Sequence, residues 1–305
     1  MRKHSYGGRR RGFVLPTRLV AVVLVGAVAA LSVVQTVRAS RMGKELTSLR
    51  TQVTTLTQEN KALAAKVPAV QLANDSFAYQ NKYPEMVVKD VPARAADDPK
   101  AVYLTFDDGP SKNTTTVLDA LKAQGAHATF FVIGKNIAGY EAILKRIVSE
   151  GHTLAIHTYS HDYKAMYASV DAYLDDFNKV YTAIHDATGV YPTLFRFPGG
   201  SINGYNAGIY EQIIAEMTRR GFIYYDWSVS SEDATGKKLT SAQLTQNVVQ
   251  GVARSKHPIV LMHDSGEKTA TAGAVASMVQ QLKAAGYDCR ALTGDVRPIT
   301  FGYKS

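Results

Sequence analysis

From residue 101 onward, short apolar runs alternate with longer stretches in which apolar residues recur every three or four positions. The runs cover 101–106, 127–133, 152–156, 193–197, 221–227, 258–263 and 287–292. Runs of this length, bounded by turn residues, predict strands, and the stretches around 113–124, 140–150, 169–188, 206–220, 240–253 and 272–285 predict helices between them. This alternation predicts an α/β fold, a parallel sheet covered by helices. The sheet either stays open and doubly wound or closes as a distorted (β/α) barrel with about seven parallel strands. The polar positions favour the barrel. Asp107 and Asp108, His157, Arg196, Asp226 and His263 each stand at or just past the C-terminal end of a different run. Converging on the C-terminal face of one barrel, they would form one site.

The first hundred residues follow other patterns. Six basic residues, Arg2, Lys3, Arg9, Arg10, Arg11 and Arg18, precede an uncharged apolar span over 19–37. A span of this length can just cross a bilayer. The positive-inside rule then leaves residues 1–18 as a basic cytoplasmic segment and places the rest outside, in a single-pass membrane protein. The alternative is a signal peptide cleaved after Ala39, which would release a secreted protein. Over 39–67, Met42, Leu46, Leu49, Val53, Leu56, Asn60, Leu63 and Val67 alternate at spacings of four and three, a heptad seam. Val at a, Leu at d and one polar Asn60 at a are choices expected of a parallel homodimer. The simpler reading is a single amphipathic stalk helix. Residues 68–100 lack sustained periodicity and read as a linker, which leaves 101–305 as the catalytic domain.

Charge and cysteine content narrow the chemistry. The formal net charge of +9 suggests a nucleic-acid partner, but residues 1–100 hold 16 of the 35 Lys+Arg and 7 of the 26 Asp+Glu, leaving 19 of each for 101–305. The globular part is neutral, which argues against nucleic acid. The only cysteine is Cys289, so an intrachain disulfide and a Cys-based zinc site are excluded, and any metal must use His and carboxylate.

Asp107 and Asp108 sit side by side in "TFDDGPS", which is also a good turn sequence. As a site, the pair permits a division of labour, one carboxylate binding a cation and one acting as general base. His157 and His161 in "HTYSH" are four apart, a spacing at which two imidazoles can share one ion. Two His and one Asp make an open metal site with room for water, the arrangement of hydrolytic metal. Arg196 in "FRFPGGS" is placed to orient the Asp107 carboxylate, beside a Gly-containing turn whose N–H groups can face an oxyanion. In "LMHD" His263 is a proton donor, and Asp226 in "YYDWS" is expected to hold that imidazole in one tautomer.

"TFDDG", "HTYSH", "RFPGG", "DW" and "LMHD", in this order over 105–264, resemble the five motifs of the polysaccharide deacetylases with the NodB-homology domain, carbohydrate esterase family 4. The resemblance spans roughly 101–292. It implies a distorted barrel of seven or eight β/α units and metal-dependent removal of acetyl groups from N-acetylated sugars. Carried over, Asp107 would be the base, Asp108, His157 and His161 the metal ligands, Arg196 the partner of the base and His263 the acid. Asp226 would tune His263, Trp227 would wall the groove and Leu261 would pack near the acetate methyl. Many members carry a tyrosine after the proline of the third motif, where this chain has Gly199 followed by Gly200. The Gly199 N–H remains available to the oxyanion, and the missing side chain is expected to open the groove.

The metal expected from the ligand types is Zn2+, with Co2+, Ni2+ or Mn2+ also suited. The implied substrate is an N-acetylated cell-wall glycan, at N-acetylglucosamine or N-acetylmuramic acid of peptidoglycan. A secreted poly-N-acetylglucosamine, a chitin-like polymer or an O-acetyl xylan are the alternatives. A reading of another class is a membrane-tethered scaffold that binds glycan without catalysis.

Overall fold

The computed structural model describes residues 17–66 and 77–302. The chain divides into two compact units, Met1–Ser76 and Phe77–Ser305. In the first, a single helix, α1, runs Thr17–Lys66 and carries both the 19–37 span and most of the heptad stretch. Most side chains of 19–37 lie outside the described residues, as do those of Asn60, Leu63 and Val67. Among the described residues no helix is long and apolar enough to cross a membrane. Along the described part of the seam, Met42, Leu46, Leu49, Val53 and Leu56 are each more than half exposed.

The second unit is an α/β body with strands β1 (Ala101–Asp107), β2 (Thr129–Ile133), β3 (Thr153–Thr158), β4 (Leu194–Phe195), β5 (Ile223–Tyr224), β6 (Val229–Ser230), β7 (Ile259–His263) and β8 (Asp288–Arg290). Helices α2 (Lys112–Ala123), α3 (Glu141–Ser149), α4 (Tyr163–Met166), α5 (Val170–Thr188), α6 (Tyr210–Arg219), α7 (Ser241–Arg254) and α8 (Thr269–Ala284) connect them. All ladders are parallel, in the order β5-β4-β3-β2-β1-β7-β6, with β8 pairing the start of β1. Among the described residues no ladder joins β5 to β6, so the barrel is open on that side.

Strand periodicity explains where the chemistry lies. In β1, Val102, Leu104 and Phe106 belong to the core between sheet and helices, while Ala101 and Tyr103 belong to a second cluster on the concave face. Because side chains alternate faces, the next concave positions are Thr105 and Asp107. The same phase takes Ala155 to His157, Leu194 to Arg196, and Ile259 through Leu261 to His263. On the concave side of these four strands an apolar residue fills the interior and a polar one follows at the C-terminal rim.

One sequence expectation is corrected. Residues 77–100 are not linker: Tyr79 and Met86 are buried in the main core. The buried Arg220 donates to the backbone carbonyls of Tyr79, Lys82, Tyr83 and Met86, while Glu216 accepts from its Nε at 2.6 Å. An isolated buried guanidinium would be costly, and this set of partners compensates its desolvation. The remainder of the expected linker, 68–76, lies outside the described residues. The eight strands accord with the expected barrel of about seven; β6, with two residues, is too short to show a period.

Candidate active site

Asp107 closes β1 and is the register partner of His263 at the end of β7, while Asp264 N–H donates to the Asp107 carbonyl at 3.0 Å. The Asp107 carboxylate is 3% exposed. Arg196, just past β4 and fully buried, donates to Asp107 Oδ1 from Nη1 at 2.9 Å. The guanidinium is itself held by Thr105 Oγ1 at 2.6 Å, Tyr225 O at 2.8 Å and Asp226 O at 3.2 Å, and lies 4.3 Å over the Phe131 ring. Burial pushes the Asp107 pKa above the usual carboxylate range, against the opposing pull of Arg196 and His263. A carboxylate with a raised pKa and a fixed orientation suits a general base.

Asp108, His157 and His161 bring one ligand atom each to within 4.8 Å of one another. His157 Nε2 and His161 Nε2 are 3.5 and 3.3 Å from Asp108 Oδ1. That oxygen is buried without a hydrogen-bond partner, an unsatisfied state that a cation would relieve. His157 Nδ1 lies 2.9 Å from the Arg196 carbonyl, which leaves Nε2 as the ligand atom, and burial lowers the pKa of this imidazole to about 3. It is therefore neutral, as a ligand must be. Asp108 and His161 both have positive φ, 74° and 52°, the kind of local strain that concentrates at functional sites. The residues present fit a divalent cation.

Asp176 on α5 supports this cluster and escaped the sequence reading. Its carboxylate accepts from Thr158 Oγ1 (2.5 Å), Tyr159 N–H (2.6 Å) and Ser160 N–H (3.0 Å), and so holds the loop that carries His161. Asp176→Ala is expected to weaken Zn2+ affinity roughly 10- to 100-fold, as loss of an outer support commonly does. Calorimetric titration checks this, and unchanged affinity would contradict the supporting role.

His263 is not held by Asp226. Its Nδ1 lies 2.7 Å from Asp233 Oδ1, and its backbone N–H donates to Asp233 Oδ2 at 2.8 Å. Burial alone would lower the imidazole pKa, but the hydrogen bond and charge of Asp233 carry it above the ordinary histidine value. Asp226 is turned elsewhere: Oδ1 accepts from Ser201 N–H (2.8 Å), and Oδ2 from Ser201 Oγ (2.5 Å) and Phe301 N–H (2.7 Å). Strand order explains the exchange. Asp226 follows β5 at one end of the sheet, whereas Asp233 follows β6, which pairs with the strand bearing His263. Asp226 instead fastens the 199–201 turn and the C-terminal segment to the rim.

A cavity of about 400 Å³ opens over these groups, with Gly199, Trp227, Leu261 and Tyr163 in its wall. Gly199 has φ +77°, and a Cβ there would meet Tyr163 Cε1 at 2.9 Å. The side chain missing at 199 therefore does not leave the groove open as expected, because the Tyr163 ring from α4 stands against that space. Among the described residues the Gly199 N–H has no hydrogen-bond partner, and Gly199 lines the cavity.

A concave catalytic face with a buried base, an imidazole held by a carboxylate and a three-ligand cation site defines the class: an α/β-barrel hydrolase built for acyl transfer to water. Comparison with known proteins makes the class specific. Residues 94–238 match the family model for polysaccharide deacetylase. A peptidoglycan-N-acetylglucosamine deacetylase of Bacillus cereus is 32% identical over 241 residues, which cover 77% of this chain and 83% of that protein. The catalytic domain of a peptidoglycan N-acetylglucosamine deacetylase from Eubacterium rectale superposes with a TM-score of 0.66 at 36% identity, over 70% of this chain and 98% of that one. The polysaccharide deacetylase Bc1974 from Bacillus cereus gives a TM-score of 0.59 at 33% identity, over 66% and 97%. The chain belongs to the polysaccharide deacetylase family.

Proposed function

We propose that this chain removes N-acetyl groups from the glycan strands of peptidoglycan, at N-acetylglucosamine. The observation that carries the reading is the joining of the buried Asp107–Arg196 pair, the Asp108–His157–His161 cluster and the Asp233-held His263 on one rim. Relatives that bear the peptidoglycan deacetylase name supply the substrate class.

The chain's own residues divide the work. Asp107, kept in place by Arg196, takes the proton of the attacking water, whose oxygen forms the new bond to the acetyl carbon. The Gly199 N–H faces the oxygen that gains charge, where a fixed donor is worth most. His263, with Nδ1 held by Asp233 and Nε2 left to face the cavity, gives its proton to the departing sugar nitrogen as the C–N bond breaks. The products are acetate and a free amine. Asp108, His157 and His161 would hold a divalent cation, which supplies Lewis-acid polarisation of the carbonyl and acidifies water. Zn2+ suits this ligand set, and Co2+, Ni2+ or Mn2+ are accepted by the same donors.

The proposal extends to placement. The apolar 19–37 span and the basic residues before it support a single-pass anchor with the catalytic unit outside the membrane. The exposed seam of α1 supports a parallel pairing of two stalks. The test of substrate is acetate release by the metal-loaded chain from peptidoglycan and from N-acetylglucosamine oligomers, side by side. Release from peptidoglycan is expected, and release from the oligomers alone would move the assignment to a chitin-like polymer.

A further inference from the structure

A second cavity, about 540 Å³, adjoins the catalytic one. The two share Ala234, Glu267 and Lys268 in their walls, so a ligand crossing Ala234 passes from the catalytic face into the side cavity. Ala234 directly follows the Asp233 that holds the catalytic imidazole and stands in the wall of both cavities. The side cavity has an apolar floor of Leu239, Leu244 and Ala270 under a rim that carries Lys237, Lys238 and Lys268. It contains no aromatic residue, so it lacks the flat platform on which a bare sugar ring stacks.

The charges on this rim are unequal. Of the two carboxylates in the wall, Asp233 is engaged by His263 and Thr271, while Glu267 accepts from the neutral Ser265 Oγ at 2.8 Å and keeps its charge, one anion against three lysines. Lys268 Nζ donates to the Asp233 carbonyl at 2.9 Å, an acceptor that does not cancel its charge. Lys237 and Lys238 are exposed and make no ion pair among the described residues. Three ammonium groups over an apolar floor complement a carboxylate carried on a short alkyl or peptide arm.

We infer that this side cavity takes a carboxylate-bearing substituent of the sugar next to the one being deacetylated, and that it makes the enzyme prefer anionic over neutral glycan. The inference rests on the deacetylase reading above and adds a source of substrate choice outside the catalytic residues. Peptidoglycan offers such a carboxylate on the peptide arm of its muramic units or, where the arm has been removed, on the lactyl ether whose carboxyl the peptide otherwise holds as an amide, whereas N-acetylglucosamine oligomers offer none.

The test compares kcat/KM of the full chain and of the Lys237→Glu/Lys238→Glu variant on three substrates. These are strands with peptide arms, strands stripped by an amidase to the lactyl carboxylate, and neutral N-acetylglucosamine oligomers. The variant is expected to lower the anionic-to-neutral ratio by roughly tenfold, the scale of two partly exposed charge pairs. Its turnover of the neutral oligomer is expected to stay within twofold of wild type, which also reports that it is folded. In the wild type, added salt should lower the same ratio. Loss on peptide-bearing strands only assigns the cavity to the peptide-arm carboxylate, loss on stripped strands only assigns it to the lactyl carboxylate, and loss on both shows that it accepts either. A ratio unchanged in the variant, or an equal loss on all three substrates, would overturn the inference while the deacetylase reading stands. Absence of acetate from every glycan with wild-type protein would overturn both.

Discussion

Asp107→Asn is expected to reduce acetate release by roughly 100- to 10,000-fold, the range of a lost general base. Asparagine keeps the shape of the carboxylate and can still meet Arg196, whose other three hydrogen bonds do not involve this residue. The rim should therefore remain assembled, and Zn2+ titration of Asp108, His157 and His161 should be nearly unchanged. Loss of activity with retained metal binding separates the base from the ligands. Parallel loss of both would mean that Asp107 serves the cation rather than the water.

The second large effect falls on Asp233. Asp233→Asn is expected to lower kcat by roughly 100- to 10,000-fold, the scale on which an imidazole deprived of its orienting carboxylate fails. The pH profile distinguishes this from mere damage. Asp107 must be ionised and its pKa is raised, so activity should rise with pH through a value above the ordinary carboxylate range. His263 must be protonated and its pKa is also raised, so activity should fall through a value above the ordinary imidazole range. Removing Asp233 leaves burial as the main influence on His263, and burial lowers its pKa, so the alkaline limb should move to lower pH. Asp226→Asn, by contrast, loosens the Ser201 and Phe301 attachments and should lower thermal stability with no shift of that limb. A shifted limb in Asp226→Asn and none in Asp233→Asn would reverse the assignment made here.

The exchange of Asp226 for Asp233 marks the boundary of what the sequence can convey. Asp107, Asp108, His157, Arg196 and His263 were legible because each ends an apolar run, and alternation along a strand carries that phase to the rim. Asp226 also ends such a run and attracts the same reading. Which carboxylate reaches His263 depends on which strand lies beside β7, and that neighbour is a two-residue strand without any apolar run to announce it. Asp176 and Tyr163 were hidden for a related reason. Both act through space, one on a loop that follows another strand and one at a glycine 36 positions away. Residues 77–100 read as linker because Arg220 secures them through backbone carbonyls, which leave no side-chain pattern. Had those carbonyls been matched by an apolar stripe, the unit's start at Phe77 would have been visible.

The catalytic rim also explains why so much buried polarity is tolerated in one place. Arg196, Asp107 and Asp226 are all nearly inaccessible, and Arg196 ties them together by donating to the Asp107 carboxylate and to the Asp226 carbonyl. Such a network is costly to assemble and worth more to orientation than to stability. Its benefit is that the base, the turn bearing Gly199 and the C-terminal segment are positioned together before substrate arrives.

Hydrolysis of a sugar N-acetyl amide by this rim is tested by counting products. Metal-loaded chain is incubated with purified peptidoglycan, and released acetate and newly formed primary amines are measured in the same digest. The account predicts one free amine for each acetate, with both lost on chelation and both lost in Asp107→Asn. Acetate without matching amine would show cleavage of an ester instead, and would contradict it.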